Sequence, residues 1–145
     1  MPMFSLMPGN FKRDDHDFGV NDGGADFAQK DVSQGLFLDF LGVPKDSPRR
    51  AQHGVYTSYT FGPIGRQVKI LLLDARYHRP PPGSDGDILG EAQWNWLETE
   101  LHQSQAQLHF IASGTNPLGA AGVYVVCSDI SESPRARSRG PSHSD

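Results

Sequence analysis

The apolar run at residues 70–73, inside the segment QVKILLLD (residues 67–74), places the strongest constraint on the fold of this chain. A strand with one face in water alternates apolar and polar side chains, so four consecutive apolar residues predict a strand that is buried on both faces. Residues 55–61 (VYTSYTF) are β-branched and aromatic and predict a second strand. The turn GPIG at residues 62–65 lies between the two, so a hairpin is the simplest arrangement.

Residues 91–104 show the clearest helical pattern. Trp94, Leu97 and Leu101 recur at i, i+3 and i+7 and form one apolar stripe, while polar residues occupy the other faces. We therefore expect Trp94 and Trp96 to serve in helix packing rather than in a ligand site.

An earlier helix is predicted for residues 25–41. Asp22 or Asp26 is the expected N-cap, because a short polar side chain can accept hydrogen bonds from the first free amides of a helix. Gly42 suits the position that follows the last turn, and Pro44 prevents continuation. Three apolar residues recur at helical spacing near the end of this segment: Phe37, Phe40 and Leu41.

Residues 107–113 and 123–126 predict two further short strands. Helices that alternate with strands in this order are typical of a layered α/β domain rather than a helical bundle or a β-sandwich. The length of 145 residues corresponds to one domain. We expect residues 1–13 to be irregular, residues 14–127 to form the domain, and residues 128–145, rich in Ser, Arg and Pro, to be a disordered tail.

The composition argues against several classes of protein. A net charge of -4 is unfavourable for a nucleic-acid-binding surface. Cys127 is the only cysteine, so no disulfide can form within the chain. No apolar run approaches the roughly 20 residues that span a bilayer, and residues 1–13 lack the pattern of a signal peptide. We expect no nucleic-acid or membrane partner; the compartment and the oligomeric state stay open.

Residues 14–22 (DDHDFGVND) concentrate more chemistry than any other segment, with four aspartates, one histidine and one asparagine. Oxygen ligands suit hard metal ions, and an adjacent histidine can donate a proton or contact a phosphate. Three interpretations are open: a solvated loop that caps the next helix, a calcium loop of the EF-hand type, and a metallophosphatase loop. The EF-hand interpretation is the weakest, because its sixth position requires glycine and holds Val20 here.

Several blocks, in order, extend this motif downstream. Together they resemble the PhoD-like (alkaline phosphatase D) branch of the calcineurin-like metallophosphatases, over about residues 14–115. The resemblance implies a partial calcineurin-like fold, with αββα layers and incomplete sheets. The blocks are DDHDFGVND, SQGLFLDFLGVPKDSPRR, GVYTSYTFGP, QVKILLLDARYHR, ILGEAQWNWLETEL and FIASGT.

The same resemblance implies a role for each polar residue of the motif. Asp15 and Asn21 take the places of metal ligands, and His16 takes the place of the catalytic residue that faces the phosphate. Asp14 and Asp17 would shape the loop or support the ligands. The metals implied are iron and calcium, and the implied substrate is a small phosphate ester, either a monoester or a diester.

Arg76 and Arg79 follow the buried strand directly. Residues just beyond the carboxyl end of a strand are well placed for a site in an open α/β fold, and the fork of guanidinium donors suits phosphate. These two arginines are therefore candidate phosphate-binding residues. The alternative is that Arg76 forms an internal ion pair with Asp74 that shapes the loop.

Proteins of the PhoD-like family supply further metal ligands from segments before and after the shared blocks. Only thirteen residues precede Asp14, and the sequence after residue 115 does not resemble the family. We therefore expect a truncated domain with weak or no phosphatase activity alone. Two rivals stay open: a non-catalytic remnant that binds calcium or a protein partner through the acidic loop, and a purely structural loop.

Overall fold

The structure is a computed structural model that describes residues 15–81, 83–84, 86–114 and 123–127. Of residues 15, 16 and 123–127 it describes only the backbone. The expected irregular segment 1–13 and the expected disordered tail 128–145 lie outside the described residues. The elements in chain order are α1 (Asp15–Phe18), α2 (Lys30–Phe40), a short 3₁₀ helix (Pro48–Arg50), β1 (Thr57–Phe61), β2 (Val68–Leu72), α3 (Glu91–His102), β3 (Leu108–Ala112) and β4 (Val123–Cys127).

The four strands form one mixed sheet in the order β1-β2-β3-β4. The predicted hairpin is confirmed, because β1 and β2 pair antiparallel, with Thr57 opposite Leu72. The connection from β2 to β3 carries α3, and these two strands are parallel, with Leu71 opposite Ile111. A second antiparallel pair joins β3 to β4. The predicted class, mixed α/β, is therefore confirmed.

The main core lies where α3 packs on the central strands. Leu71 and Ile111 share one face of the sheet and belong to the same buried cluster as Leu97 and Leu101 of α3. Trp94 is buried in the same cluster and donates its indole N–H to Asp87 at 2.7 Å, so its predicted packing role is confirmed. Each of these apolar residues stabilises the fold by leaving water.

The segment 70–73 is largely buried, as its apolar run predicts. Leu71, Leu72 and Leu73 are buried, while Ile70 is half-buried. Their alternation across the pleat places consecutive side chains on opposite faces of the sheet. The strand is thus covered on the α3 face and partly covered on the other.

Helix α2 begins at Lys30, five residues later than predicted, and neither Asp22 nor Asp26 caps it. Its N-cap is Gln29, which makes no side-chain capping hydrogen bond. The cause is tertiary: the amide of Ala25 donates to the carbonyl of Arg79 at 2.7 Å, which holds this part of the chain in turns.

The end of α2 follows the sequence prediction. Gly42 has a positive φ of 66°, a conformation that favours glycine, and its amide donates to the carbonyl of Asp39 at 3.0 Å. The next amide, of Val43, reaches back to Leu38 at 2.9 Å. This pair of bonds is a Schellman motif and ends the helix before Pro44.

Helix α2 carries apolar residues on two faces. Phe37, Leu38 and Leu41 are buried and pack with Val55. The predicted apolar periodicity included Phe40, but this side chain is exposed, together with Val32 and Leu36. Only one side of the helix meets the described core, so the second stripe faces solvent. Neither α2 nor α3, the longer described helices, is long and apolar enough to cross a bilayer.

A polar group is enclosed between the sheet and the last turns of α3. Lys69 of β2 donates to the carboxylate of Glu100 at 2.9 Å and to its backbone carbonyl at 2.8 Å. His109 of β3 is opposite Lys69 and is only 2% exposed, and neither ring nitrogen has a hydrogen-bond partner among the described residues. Burial, and then repulsion from the Lys69 ammonium, lower the pKa of His109 below its usual value of 6.5.

This arrangement predicts that acid weakens the fold through His109. Because the pKa of His109 is lower in the folded state than in the unfolded state, the unfolded state binds a proton first as the pH falls. The free energy of unfolding therefore has its full value above the unfolded pKa of 6.5 and decreases as the pH falls from there toward the folded pKa. We expect the free energy of unfolding in urea to fall between about pH 7.5 and 5.5. The fall should be smaller in His109→Gln. His102→Gln, an exposed histidine of α3, should keep the parent slope; equal slopes for all three proteins would contradict the prediction.

Candidate functional site

The acidic motif begins in a turn of helix rather than lying wholly in a loop as predicted. Helix α1 (Asp15–Phe18) contains Asp15, His16 and Asp17, and the chain then turns through Gly19 to Asp22. Phe18 is fully buried, and its ring lies 5.6 Å from that of Phe27. The apolar Phe18 therefore anchors the middle of the motif to the domain.

The anchor extends to helix α2. Ser33 donates its hydroxyl hydrogen to the carbonyl oxygen of Phe18 at 2.7 Å. This bond helps to satisfy the carbonyl at the end of α1. The packing of α1 against the first half of α2 thus fixes the path of the motif.

The structure gives a partial view of the predicted metal and catalytic residues. Asp14 and the side chains of Asp15 and His16, three of the predicted site residues, lie outside the described part of the chain. Asp17 is exposed. Asn21 is also exposed, and its amide nitrogen lies 3.4 Å from Asp22 Oδ2.

The two predicted phosphate-binding arginines lie beside the end of the motif. Arg79 donates from a guanidinium nitrogen to Asp22 Oδ1 at 3.2 Å, and the Arg76 guanidinium lies 3.9 Å from the same oxygen. Asp22 itself has a positive φ of 55°. The structure therefore places Arg76 and Arg79 against Asp22, the residue that follows Asn21, although more than fifty positions separate them in the sequence.

A glycine permits this close approach. A Cβ at Gly24 would lie 2.3 Å from the carbonyl oxygen of Arg79, which is closer than any side chain tolerates. The adjacent amide, of Ala25, donates to that same oxygen at 2.7 Å. The loop after the motif and the loop after β2 are thus joined backbone to backbone.

Asp74 shapes the loop that carries the arginines, and it does so through backbone amides. Its carboxylate is fully buried and accepts hydrogen bonds from the amides of Arg76 at 2.9 Å, Tyr77 at 3.1 Å and Val55 at 2.9 Å. The alternative reading assigned this role to an ion pair with Arg76. Among the described residues, the Arg76 guanidinium lies 3.9 Å from Asp22 Oδ1.

Gln93 of α3 holds Asp74 from the other side. Its amide oxygen accepts from the Asp74 amide, and its nitrogen donates to the Asp74 carbonyl, both at 2.8 Å. A buried side chain that satisfies both backbone groups of one residue fixes its position strongly. The loop that carries Arg76 and Arg79 is therefore fixed to α3 and to the sheet.

Lys30 and Tyr77 belong to the same region, although sequence reasoning did not identify them. The Lys30 ammonium donates to the carbonyl of Ala25 at 2.9 Å and lies 4.7 Å from the centre of the Tyr77 ring. The Tyr77 hydroxyl donates to Asp31. The contact between Tyr77 and Asp31 joins residues 46 positions apart, so no local pattern in the sequence predicts it.

The two arginines thus lie beside the turn that ends at Asp22, and the Lys30 ammonium lies over the ring of Tyr77, in the same loop as the arginines. Among the side chains that the structure describes, no three His, Cys, Asp or Glu residues form a group able to hold a metal ion.

Comparison of the chain with protein-family models, with curated proteins and with solved structures found no match.

Proposed function

We propose that this domain is a metal-dependent phosphatase of the alkaline phosphatase D type, with a partial calcineurin-like fold. The observation that supports the proposal best is the position of Arg76 and Arg79 beside the last residues of the acidic motif. Arginine binds phosphate oxygens in pairs through its planar fork, and the neighbouring motif supplies oxygen ligands of the kind that hard metals prefer.

The donor set of the motif is compatible with the proposed metals, iron and calcium. Asn21 is exposed, and its described contact uses the amide nitrogen, which leaves the amide oxygen for a cation. In the proposal Asp15 and Asn21 hold the metal, while Asp14 and Asp17 support the motif. Bound metals would supply charge stabilisation and an activated water.

The remaining roles belong to protein groups. His16 protonates the leaving oxygen, a contribution that is typically worth about 10²- to 10⁴-fold in rate. Arg79, and Arg76 behind it, bind the non-bridging oxygens and orient the phosphorus toward the motif. Asp22 holds the Arg79 guanidinium in place before the substrate arrives. The substrate is a small phosphate ester.

The phosphate-binding part of the proposal predicts a loss of affinity in Arg79→Gln. A hydrogen bond to a charged group contributes about 1.5–3 kcal/mol, so phosphate should bind roughly ten- to a hundredfold more weakly in the presence of metal. Calorimetric titration of the full chain with inorganic phosphate measures this. Arg66→Gln is the matched control, because Arg66 is exposed in the turn between β1 and β2. Equal phosphate affinity in Arg79→Gln and the parent would contradict the assignment.

The metal-binding part predicts that Asp15→Ala and Asn21→Ala weaken the binding of calcium or iron. Asn95→Ala, at an exposed position of α3, should leave it unchanged. Calcium binding that does not alter phosphate binding would favour the non-catalytic alternative. A melting temperature that changes neither on addition of metal nor on addition of EDTA would favour a purely structural loop. Turnover of p-nitrophenyl phosphate, expected to be weak, should be lost in Asp15→Ala.

A further inference from the structure

A cavity of about 270 Å³ lies between α2 and the chain that follows the 3₁₀ helix. Asp31, Gly35 and Leu38 line it from the helix, and Arg50 and His53 line it from the opposite side. Its lining includes neither a described residue of the acidic motif nor Arg76 or Arg79, although Asp31 and His53 both contact Tyr77. Its volume suits a small organic molecule.

Gly35 has no side chain to fill this cavity, but a glycine at this position lowers the stability of helix α2. A glycine inside a helix is about 1 kcal/mol less favourable than alanine. No described neighbour requires it, because a Cβ at position 35 would meet no atom within 4 Å. The missing side chain instead leaves room for a ligand to lie against the backbone of α2.

The two ends of the cavity carry opposite charge. Asp31 is exposed, and its carboxylate accepts a hydrogen bond from the Tyr77 hydroxyl. At the other end, Lys45 and Arg50 share the single carboxylate of Asp39, at 2.6 and 2.7 Å. That leaves one positive charge in excess near Arg50.

The positive end is held rigidly. The Arg50 guanidinium donates to the carbonyls of Pro44 at 2.8 Å and Val43 at 2.5 Å, so it is fixed before any ligand binds. Residues 31 and 39 are separated by about 12 Å along the axis of α2. A ligand that forms an ion pair with both Asp31 and Arg50 must therefore be extended.

We propose that this cavity binds a small zwitterion whose ammonium and carboxylate groups are several ångströms apart, such as an ω-amino acid. The ammonium lies at Asp31 and the carboxylate at Arg50. The alkyl chain passes over Gly35 and Leu38. The His53 ring, which stacks on Tyr77 at 5.5 Å, forms part of the opposite wall.

Calorimetry of the full chain with ε-aminocaproate tests the proposal. We expect saturable binding, and at least tenfold weaker binding of hexylamine and of caproate, each of which offers one of the two charges. Binding of hexylamine as tight as that of the zwitterion would overturn the proposal. So would the absence of saturable binding of ε-aminocaproate.

A variant that fills the cavity tests the proposal most directly. Gly35→Leu should abolish binding of ε-aminocaproate without lowering the melting temperature, because the new side chain enters open space and favours the helix. Ala92→Leu, at an exposed position of α3, is the matched control and should bind normally. Unchanged binding in Gly35→Leu would overturn the proposal.

Asp31→Asn keeps the size of the side chain and can still accept from Tyr77. It should weaken binding of ε-aminocaproate at least tenfold and leave the weak binding of caproate unchanged; equal affinity for the zwitterion would overturn the proposal even if Gly35→Leu failed to fold. Arg79→Gln should bind ε-aminocaproate normally, so the outcome is independent of the phosphatase proposal.

Discussion

Replacing Asp74 by alanine is expected to lower the free energy of unfolding by about 3–5 kcal/mol, because three buried amides lose their acceptor at once. Those amides belong to Val55, Arg76 and Tyr77. Each unpaired buried donor costs on the order of 1–3 kcal/mol, and some rehydration reduces the sum. Urea unfolding of the full chain measures the loss.

Asp46→Ala is the control for this prediction, since Asp46 is exposed and should change stability by less than about 0.5 kcal/mol. Asp74→Asn keeps one acceptor oxygen and should fall between the two. A loss below about 1 kcal/mol in Asp74→Ala would show that the three amides find other partners. The same variant should also weaken phosphate binding, because the loop that carries Arg79 loses its support.

Leu97→Ala should cost about 2–5 kcal/mol, the range for truncating a buried leucine that leaves a cavity. Leu97 is 2% exposed and sits at the centre of the cluster between α3 and the sheet. The measurement is again the free energy of unfolding in urea.

The chain offers a matched control for this prediction on its other helix. Leu36 of α2 is 66% exposed, so Leu36→Ala removes the same atoms without opening a cavity. It should change stability by less than about 0.5 kcal/mol. Similar losses in Leu36→Ala and Leu97→Ala would mean that the exposed stripe of α2 is covered in solution.

The elements that the sequence predicted best are those with a strong local pattern. The Trp94–Leu97–Leu101 stripe placed α3 to within two residues, and the apolar run at 70–73 identified the buried strand β2. Periodicity works here because helix and strand each repeat over a few residues and each must bury one or both faces.

Prediction of the candidate site was less complete. The sequence pointed to Arg76 and Arg79 from their position after a strand, and both do lie beside the acidic motif. It did not identify Lys30 or the Tyr77–Asp31 contact. Such pairs depend on where two loops meet, and no local repeat encodes that.

By itself, therefore, the sequence determined helix α3, the end of α2, the strands and the mixed α/β class, because local periodicity and turn chemistry act over neighbouring residues. Only the tertiary structure decided that α2 starts late, that Phe40 faces solvent, and that Asp22 meets Arg79 across 57 positions. These outcomes follow from hydrogen bonds and packing between distant segments, whose free energy exceeds the local preference for helix or cap.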